Sequence, residues 1–130
     1  MSSSSRLTIC AISGLVAVVL SAAAPAFAAT AAEGADAFQK KCATCHTSDK
    51  GGKNGIGPNL FGIAGQKSGQ VASFKYSVPF KAQQITWTDD KLKTWFVEPA
   101  KMVPGTKMML IKPVAPTEVD GIVEFVKSKK

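Results

Sequence analysis

The sequence has few of the residues that most enzymes and nucleic-acid-binding proteins use. Its 130 residues include one histidine, His46, three cysteines and one arginine, Arg6. Basic residues outnumber acidic ones by 16 to 9, but almost all of them are lysines. Because arginine is the side chain that best contacts bases and phosphates, we do not expect a nucleic-acid partner. A single histidine also excludes any site that needs two imidazoles from this chain.

Long hydrophobic runs are equally scarce, and the one that exists lies at the N-terminus. Residues 7–20 are mostly apolar, follow four serines and Arg6, and lead to the small residues around Ala26-Phe27-Ala28. The run is shorter than the roughly 20 residues that cross a bilayer. We predict a cleaved signal peptide over residues 1–28, an exported periplasmic domain over residues 29–130, and no stable membrane insertion. An uncleaved N-terminal anchor is the alternative.

Apolar spacing predicts three short helices joined by long loops. The first covers about residues 34–45 and carries both mature cysteines on its inner face. The second starts at the N-cap Thr88 and stops at Glu98-Pro99, and the third starts at Thr117 with Asp120 completing a weak capping box. Residues 47–70 contain too many glycines for a helix or a sheet. The prediction is an all-α fold.

The strongest chemical signal is the pentapeptide Cys42-Ala43-Thr44-Cys45-His46. Its C-x-x-C-H spacing places two thiols where they can form thioethers with one porphyrin, while the adjacent imidazole reaches the iron. A thioredoxin-like dithiol is disfavoured because no strand pattern precedes the cysteines, and a zinc site would lack a fourth ligand. A bound haem would also fill the core of a chain too short to bury much of itself.

The iron then needs a sixth ligand that is not histidine. Three methionines, Met102, Met108 and Met109, surround the Pro104-Gly105 turn, and each is a candidate, although methionine also serves as ordinary core filling. Ligation by histidine and methionine raises the reduction potential and occupies both axial positions. It therefore favours electron transfer over oxygen binding or activation.

The chain resembles the class I cytochromes c, both the mitochondrial type and the short bacterial periplasmic type. The matching segments extend from Gly34 to about Lys127: Gly34, Phe38, Cys42-x-x-Cys45-His46, Gly57-Pro58-Asn59-Leu60, Tyr76, Ile85-Thr86-Trp87, Pro104-Gly105-Thr106-Lys107-Met108, Ile122 and Phe125. The resemblance implies one covalently attached haem c on Cys42 and Cys45, with His46 and Met108 as axial ligands. It also implies packing of Phe38 against Ile122 and Phe125, with Gly34 allowing close approach.

The resemblance further implies roles for residues around the haem. The Pro58 carbonyl would accept a hydrogen bond from His46 Nδ1, Tyr76 and Trp87 would bind a buried propionate, and Thr106 would support the methionine loop. The chain departs from the family pattern at three positions: Gln66 replaces an arginine, Phe80 an asparagine, and Trp95 a tyrosine that usually bonds the methionine sulfur. Trp95 keeps an N–H donor for that bond.

We therefore expect a monomeric carrier that passes single electrons between larger redox proteins and catalyses no conversion itself. The partners implied are a membrane cytochrome complex, an oxidase, a photosynthetic reaction centre or a periplasmic dehydrogenase. Lysines suit steering toward an acidic patch, and the predicted docking set is Lys41, Lys53, Lys67, Lys101 and Lys107. The alternative is a haem protein with a labile Met108 that acts on peroxide or binds gases.

Overall fold

The computed structural model describes residues 26–130, so the predicted signal peptide lies almost wholly outside the described residues. Five helices follow in order: α1 (Ala26–Lys41), α2 (Val78–Ala82), α3 (Asp89–Val97), α4 (Pro99–Met102) and α5 (Pro116–Ser128). Within this range the only strand-like pairing is an isolated bridge between Lys67 and Thr86. The predicted all-α fold with three main helices is confirmed. None of the described helices is long and apolar enough to cross a membrane.

The first helix ends earlier than predicted, so the cysteines are not helical. The amides of Cys42 and Ala43 both donate to Phe38 O, and those of Cys45 and His46 both donate to Cys42 O. These converging hydrogen bonds tighten the chain into a turn directly after Lys41. Both cysteines therefore project from a turn at the C-terminus of α1. The prediction of a helix over residues 34–45 was wrong at both ends, because α1 begins at Ala26 and stops at Lys41.

The helix caps were predicted with mixed success. Thr88 caps α3, since its Oγ1 accepts a hydrogen bond from the Lys91 amide at 3.4 Å. The capping box predicted for α5 was wrong, because the helix begins one residue earlier, at Pro116. There the Glu118 carboxylate accepts a hydrogen bond from the Ala115 amide at 2.8 Å.

The N-terminal and C-terminal helices form the main contact of the fold. A Cβ added at Gly34 would lie 1.8 Å from the carbonyl oxygen of Gly121, so the two backbones touch where α1 crosses α5. Beside this crossing the Phe38 and Phe125 rings have centroids 4.9 Å apart, and Ile122 is fully buried. This contact holds the end of α1, and with it the Cys42–His46 turn, against the core.

Candidate functional site

The imidazole of His46 is held in one orientation. Its Nδ1 lies 2.8 Å from the carbonyl oxygen of Pro58, which accepts the hydrogen bond and so fixes the proton on that nitrogen. The ring lies flat against Gly57, where an added Cβ would be 2.2 Å from His46 Cε1. Burial lowers the pKa of His46, against the opposing effect of the hydrogen bond to Pro58. The ring is therefore neutral, and its Nε2 lone pair is available to a metal.

The two cysteines are free thiols and half-buried. Burial, together with the neighbouring Cys45, raises the pKa of Cys42 to about 11. Dithiol enzymes need the opposite, a lowered pKa that supplies thiolate at neutral pH. The site therefore lacks the electrostatics of a redox dithiol, whereas protonated, unpaired thiols beside an imidazole with a free Nε2 suit covalent attachment of a haem.

The loop between α4 and α5, residues 103–115, is called the methionine loop here. Its two adjacent methionines, Met108 and Met109, point in different directions. Met108 packs against the core, whereas Met109 is 80% exposed. The amide of Met108 donates to Thr106 Oγ1 at 3.2 Å, and the amide of Thr106 donates to Val103 O at 3.0 Å. These bonds fix the turn in which Gly105 adopts a φ of 81°, a conformation that glycine tolerates without strain. Only Met108 of this adjacent pair is directed inward.

An aromatic cluster forms one wall near the centre of the molecule. Tyr76 stacks on Phe80 with ring centroids 5.1 Å apart, and Phe80 is 5.3 Å from Trp95. The Trp87 and Trp95 rings are 5.5 Å apart. Phe80, Trp87 and Trp95 are all buried. Two of the three departures from the family pattern, Phe80 and Trp95, therefore lie in direct contact and make this wall largely apolar.

Beside the cluster lies a cavity of about 380 Å³ that contains no carboxylate among its lining residues. Gln66, Lys67, Tyr76 and Trp87 contribute to its wall. Tyr76 Oη accepts a hydrogen bond from the Val71 amide at 3.3 Å, so its own proton remains available for donation. A wall of donors without an acid suits the carboxylates of a haem. The cavity does not extend to the cysteines, His46 or Met108.

Asn59 organises the loop behind His46, a role that was not predicted from the sequence. Its Nδ2 donates to the carbonyl oxygens of Asp49 and Gly52, and its Oδ1 accepts from the Phe61 amide at 2.7 Å. The buried side chain thus makes three hydrogen bonds to backbone groups of the loop, which has no regular secondary structure to hold it. The sequence feature that could have indicated this role is an asparagine beside Pro58 in a glycine-rich segment, where side-chain hydrogen bonds often replace backbone ones.

The five predicted docking lysines fall into two groups. Lys41 is largely buried and donates both to Glu118 and to the carbonyl oxygen of Pro113, and Lys101 pairs with Glu98 at 3.0 Å. The other three, Lys53, Lys67 and Lys107, are exposed and form no ion pair with a described residue. Lys41 therefore connects the end of α1 with α5 through Glu118 and with the methionine loop through Pro113.

Comparison with known proteins agrees with this geometry. The cytochrome c family model matches residues 31–130. A cytochrome c2 of Rhodoblastus acidophilus is 46% identical over 88 residues, covering 65% of this chain and 80% of the relative. A cytochrome c of Arabidopsis thaliana is 37% identical over 99 residues, covering 76% and 88%, and cytochrome c2 iso-2 of Magnetospirillum molischianum is 36% identical over 89, covering 68% and 91%. The chain belongs to the cytochrome c family of electron carriers, which bind one covalently attached haem c.

Proposed function

We propose that this chain is an exported, periplasmic electron carrier whose haem iron is ligated by His46 and Met108. The observation that carries the proposal is the fixed imidazole: Nδ1 is bonded to Pro58 O, which leaves Nε2 free, and His46 is the only histidine of the chain. When bound, the haem supplies a one-electron Fe²⁺/Fe³⁺ couple. The residues around it then have to hold both ligands in place and exclude water.

Each ligand has its own support. Pro58 and Gly57 prevent the imidazole from rotating, since the ring is bonded on one edge and packed on one face. Thr106 restrains the backbone of Met108, whose thioether is directed inward. With His46 and Met108 both holding the iron, no position would remain for a substrate, so the proposed activity is electron transfer without substrate conversion.

The apolar wall contributes to the redox chemistry. Phe80 and Trp95 are buried in contact with each other, so a haem bound beside them would have little water to solvate its charged ferric state. A dry environment favours the state with less charge and therefore raises the reduction potential.

Substitution of each methionine separately tests the ligand assignment. Met108→Ala should abolish the weak far-red ferric band that reports iron–thioether ligation and should make the ferrous protein bind CO. Met102→Ala and Met109→Ala serve as matched controls in the same segment and should keep the band. If Met102→Ala alone abolishes it, Met108 is not the ligand. If the unaltered protein is high-spin and binds CO, the peroxidatic or gas-binding alternative replaces the carrier.

Export is tested by the mass of the purified protein. A periplasmic fraction should contain a haem-bearing chain that begins at or near Ala29, whereas an otherwise identical gene lacking codons 2–28 should give no haem-bearing product there. Full-length protein retained in the membrane fraction would instead support the uncleaved anchor.

A further inference from the structure

The loop behind His46 contains an asparagine followed directly by a glycine, Asn54-Gly55. In such a pair the backbone nitrogen of the glycine can attack the side-chain amide carbon of the asparagine, because glycine has no Cβ to hinder the approach. The chain has only one other asparagine, Asn59, and it precedes Leu60. Asn54 is therefore the one asparagine of the chain whose neighbour favours loss of the side-chain amide.

The glycine of this pair is required by the packing of the loop. A Cβ added at Gly55 would lie 2.9 Å from the carbonyl oxygen of Cys45, so a larger residue would force the backbone to shift where the loop crosses the Cys42–His46 turn. The same carbonyl accepts a hydrogen bond from the Gly57 amide at 2.8 Å. The packing that positions the loop against this turn thus also keeps a reactive neighbour beside Asn54.

The folded loop holds the reacting groups apart. Asn54 Oδ1 accepts a hydrogen bond from the Asn59 amide at 2.9 Å, and Asn54 Nδ2 donates to Ala72 O at 3.2 Å. The attacking nitrogen is also engaged, since the Gly55 amide donates to Gly57 O at 2.9 Å. Attack requires the side chain to turn and the Gly55 nitrogen to lose its proton, so these hydrogen bonds must first break. The reaction therefore takes place in molecules whose loop has opened.

Local opening of this loop breaks few contacts. Residues 42–77 contain no helix and no strand, and Ile56 is already 79% exposed, so its side chain loses little burial when the loop opens. Lys50 and Lys53 are exposed close to the pair in sequence, and residues 50–88 contain five lysines and no acid. This positive charge favours the deprotonated form of the Gly55 nitrogen, which is the attacking form.

We propose that Asn54 is a self-modification site, at which the protein slowly converts a side-chain amide into a carboxylate. The Gly55 nitrogen loses its proton and bonds to Asn54 Cγ, the Cγ–Nδ2 bond breaks, and the side-chain nitrogen leaves as ammonia with that proton. Water then opens the resulting succinimide at one of its two carbonyl carbons. The product is either aspartate or isoaspartate, in which the backbone is one carbon longer.

Each product changes a different contact. An aspartate at position 54 still accepts the Asn59 amide, but it has no proton to donate to Ala72 O and faces that oxygen with a negative charge. The link between the two loop segments is then lost. An isoaspartate also lengthens the backbone directly before Gly55, which packs against Cys45 O. Conversion to isoaspartate therefore displaces the loop from the Cys42–His46 turn.

The conversion can be measured by peptide mass mapping of haem-loaded protein kept in mildly alkaline buffer. The peptide that contains Asn54 should gain the mass of an amide-to-acid exchange about ten- to a hundredfold more slowly than a synthetic peptide of residues 50–58, because loop opening first breaks two or three hydrogen bonds. Labelling by an isoaspartyl-specific methyltransferase should identify the second product. Asn54→Gln should abolish both signals, because the longer side chain closes a ring far more slowly.

Two internal sites serve as controls. Asn59 is buried and precedes a bulky residue, whereas Asp120-Gly121 could form the same ring but lies within α5, whose helical hydrogen bonds hold the backbone. Both should convert far more slowly than Asn54 while the protein is folded. If Asn54 stays as unconverted as Asn59, the proposal is overturned. A rate equal to that of the peptide would overturn the control of the reaction by the hydrogen bonds of the loop.

The structural consequence is tested with Asn54→Asp, which carries the side chain of one product. Hydrogen exchange at the amides of Val71 and Phe74, which are bonded within the segment around Ala72, should become about three- to tenfold faster, the range expected for loss of one hydrogen bond. Lys53→Gln changes the net charge by the same amount next to the pair and leaves the link to Ala72 intact, so exchange should not change.

Equal exchange in Asn54→Asp and Lys53→Gln would mean that the bond from Asn54 Nδ2 to Ala72 O does not hold the two segments together, which would overturn the proposed consequence. Peptide masses and amide exchange do not depend on electron transfer. The self-modification site and the carrier function can therefore fail independently of each other.

Discussion

At the residue scale, the chemistry of this protein depends on the orientation of one imidazole. Pro58 O and Gly57 fix the ring of His46 from two sides, and burial lowers its pKa, which favours the neutral ring that the proposed iron ligation requires. Neither neighbour contributes a functional side chain. Their importance comes from a backbone carbonyl and from the absence of a Cβ, which leaves room for the ring.

Gly57→Ala tests this arrangement directly. The added methyl group would overlap His46 Cε1, so the ring has to rotate away from Pro58 O. We expect a ferric spectrum with mixed spin state and a midpoint potential that differs from that of the unaltered protein. Ile56→Ala, at an exposed position of the same turn, should leave both unchanged. Normal spectra and potential in Gly57→Ala would show that the ring is not constrained here.

Thr106 provides a second residue-scale prediction. Thr106→Val keeps the shape of the side chain but removes the acceptor for the Met108 amide. We expect a loss of about 1 kcal/mol in the free energy of unfolding, and loss of the far-red iron–thioether band at lower denaturant concentration. Thr106→Ser retains the hydroxyl and should behave much like the unaltered protein. Equal behaviour of valine and serine variants would remove Thr106 from the support of Met108.

Residue types and short spacings were predictable, but long-range partners were not. The Cys42–His46 spacing was sufficient to predict haem attachment, because its chemistry lies within five consecutive residues. Lys41 was predicted to dock partners, and its contact with Glu118 was invisible because 77 residues separate them in sequence. Asn59 was missed for a related reason, since hydrogen bonds to loop carbonyls leave no periodic pattern.

At the element scale, the contact between α1 and α5 determines where the Cys42–His46 turn lies. Gly34→Ala would place a methyl group against Gly121 O, so the helices would have to separate. We expect a loss of about 3 kcal/mol in the free energy of unfolding, the upper range for overpacking a core. Gln39→Ala, exposed on the same helix, should change it little. Denaturant titration followed by circular dichroism measures both, and equal stabilities would contradict the close contact.

The start of α5 carries a pH-dependent contribution to stability. The hydrogen bond from Lys41, and next that from the Ala115 amide, lower the pKa of Glu118 below its ordinary value of 4.5. Since the folded pKa is the lower one, the stabilisation is fully present above pH 4.5 and is lost as the pH falls through the folded pKa. Glu118→Gln should therefore lower the free energy of unfolding at pH 7. In strong acid the free energies of unfolding of the variant and of the unaltered protein should differ less.

Asp36→Asn is the control for this pH effect. Its pair with Lys40 joins two exposed side chains on α1, and exposed pairs contribute little to stability. We expect Asp36→Asn to be close to the unaltered protein at every pH. A difference between Glu118→Gln and the unaltered protein that persists undiminished in strong acid would show that Glu118 acts through packing instead of charge.

The elements themselves were predictable only where they were long enough to show a pattern. The apolar stripes of α3 and α5 and the Thr88 cap were visible in the sequence. The helices α2 and α4 were not predicted, because they span five and four residues and begin at or next to proline. Such single turns form because the surrounding chain holds them, which local propensity does not encode.

At the scale of the whole molecule, the fold has little regular structure to hold it together. Residues 42–77 contain neither a helix nor a strand, and they surround much of the 380 Å³ cavity beside the aromatic cluster. Domains of this size bury barely enough apolar area to be stable. The haem that family membership implies would therefore form part of the core, because attachment at the proposed sites Cys42 and Cys45 would bring a large apolar ring to the loops.

The last prediction follows from this dependence on the cofactor. The double variant Cys42→Ala/Cys45→Ala should lack a cooperative thermal transition, because loops 42–77 would lose the covalently held haem on which we expect them to pack. Circular dichroism and the fluorescence of Trp87 and Trp95, the two tryptophans of the chain, would measure it. Met108→Ala, which keeps the thioethers, should still unfold cooperatively. A sharp transition in the double variant would mean that the α1/α5 contact and the aromatic cluster are sufficient for folding, and that the haem serves electron transfer alone.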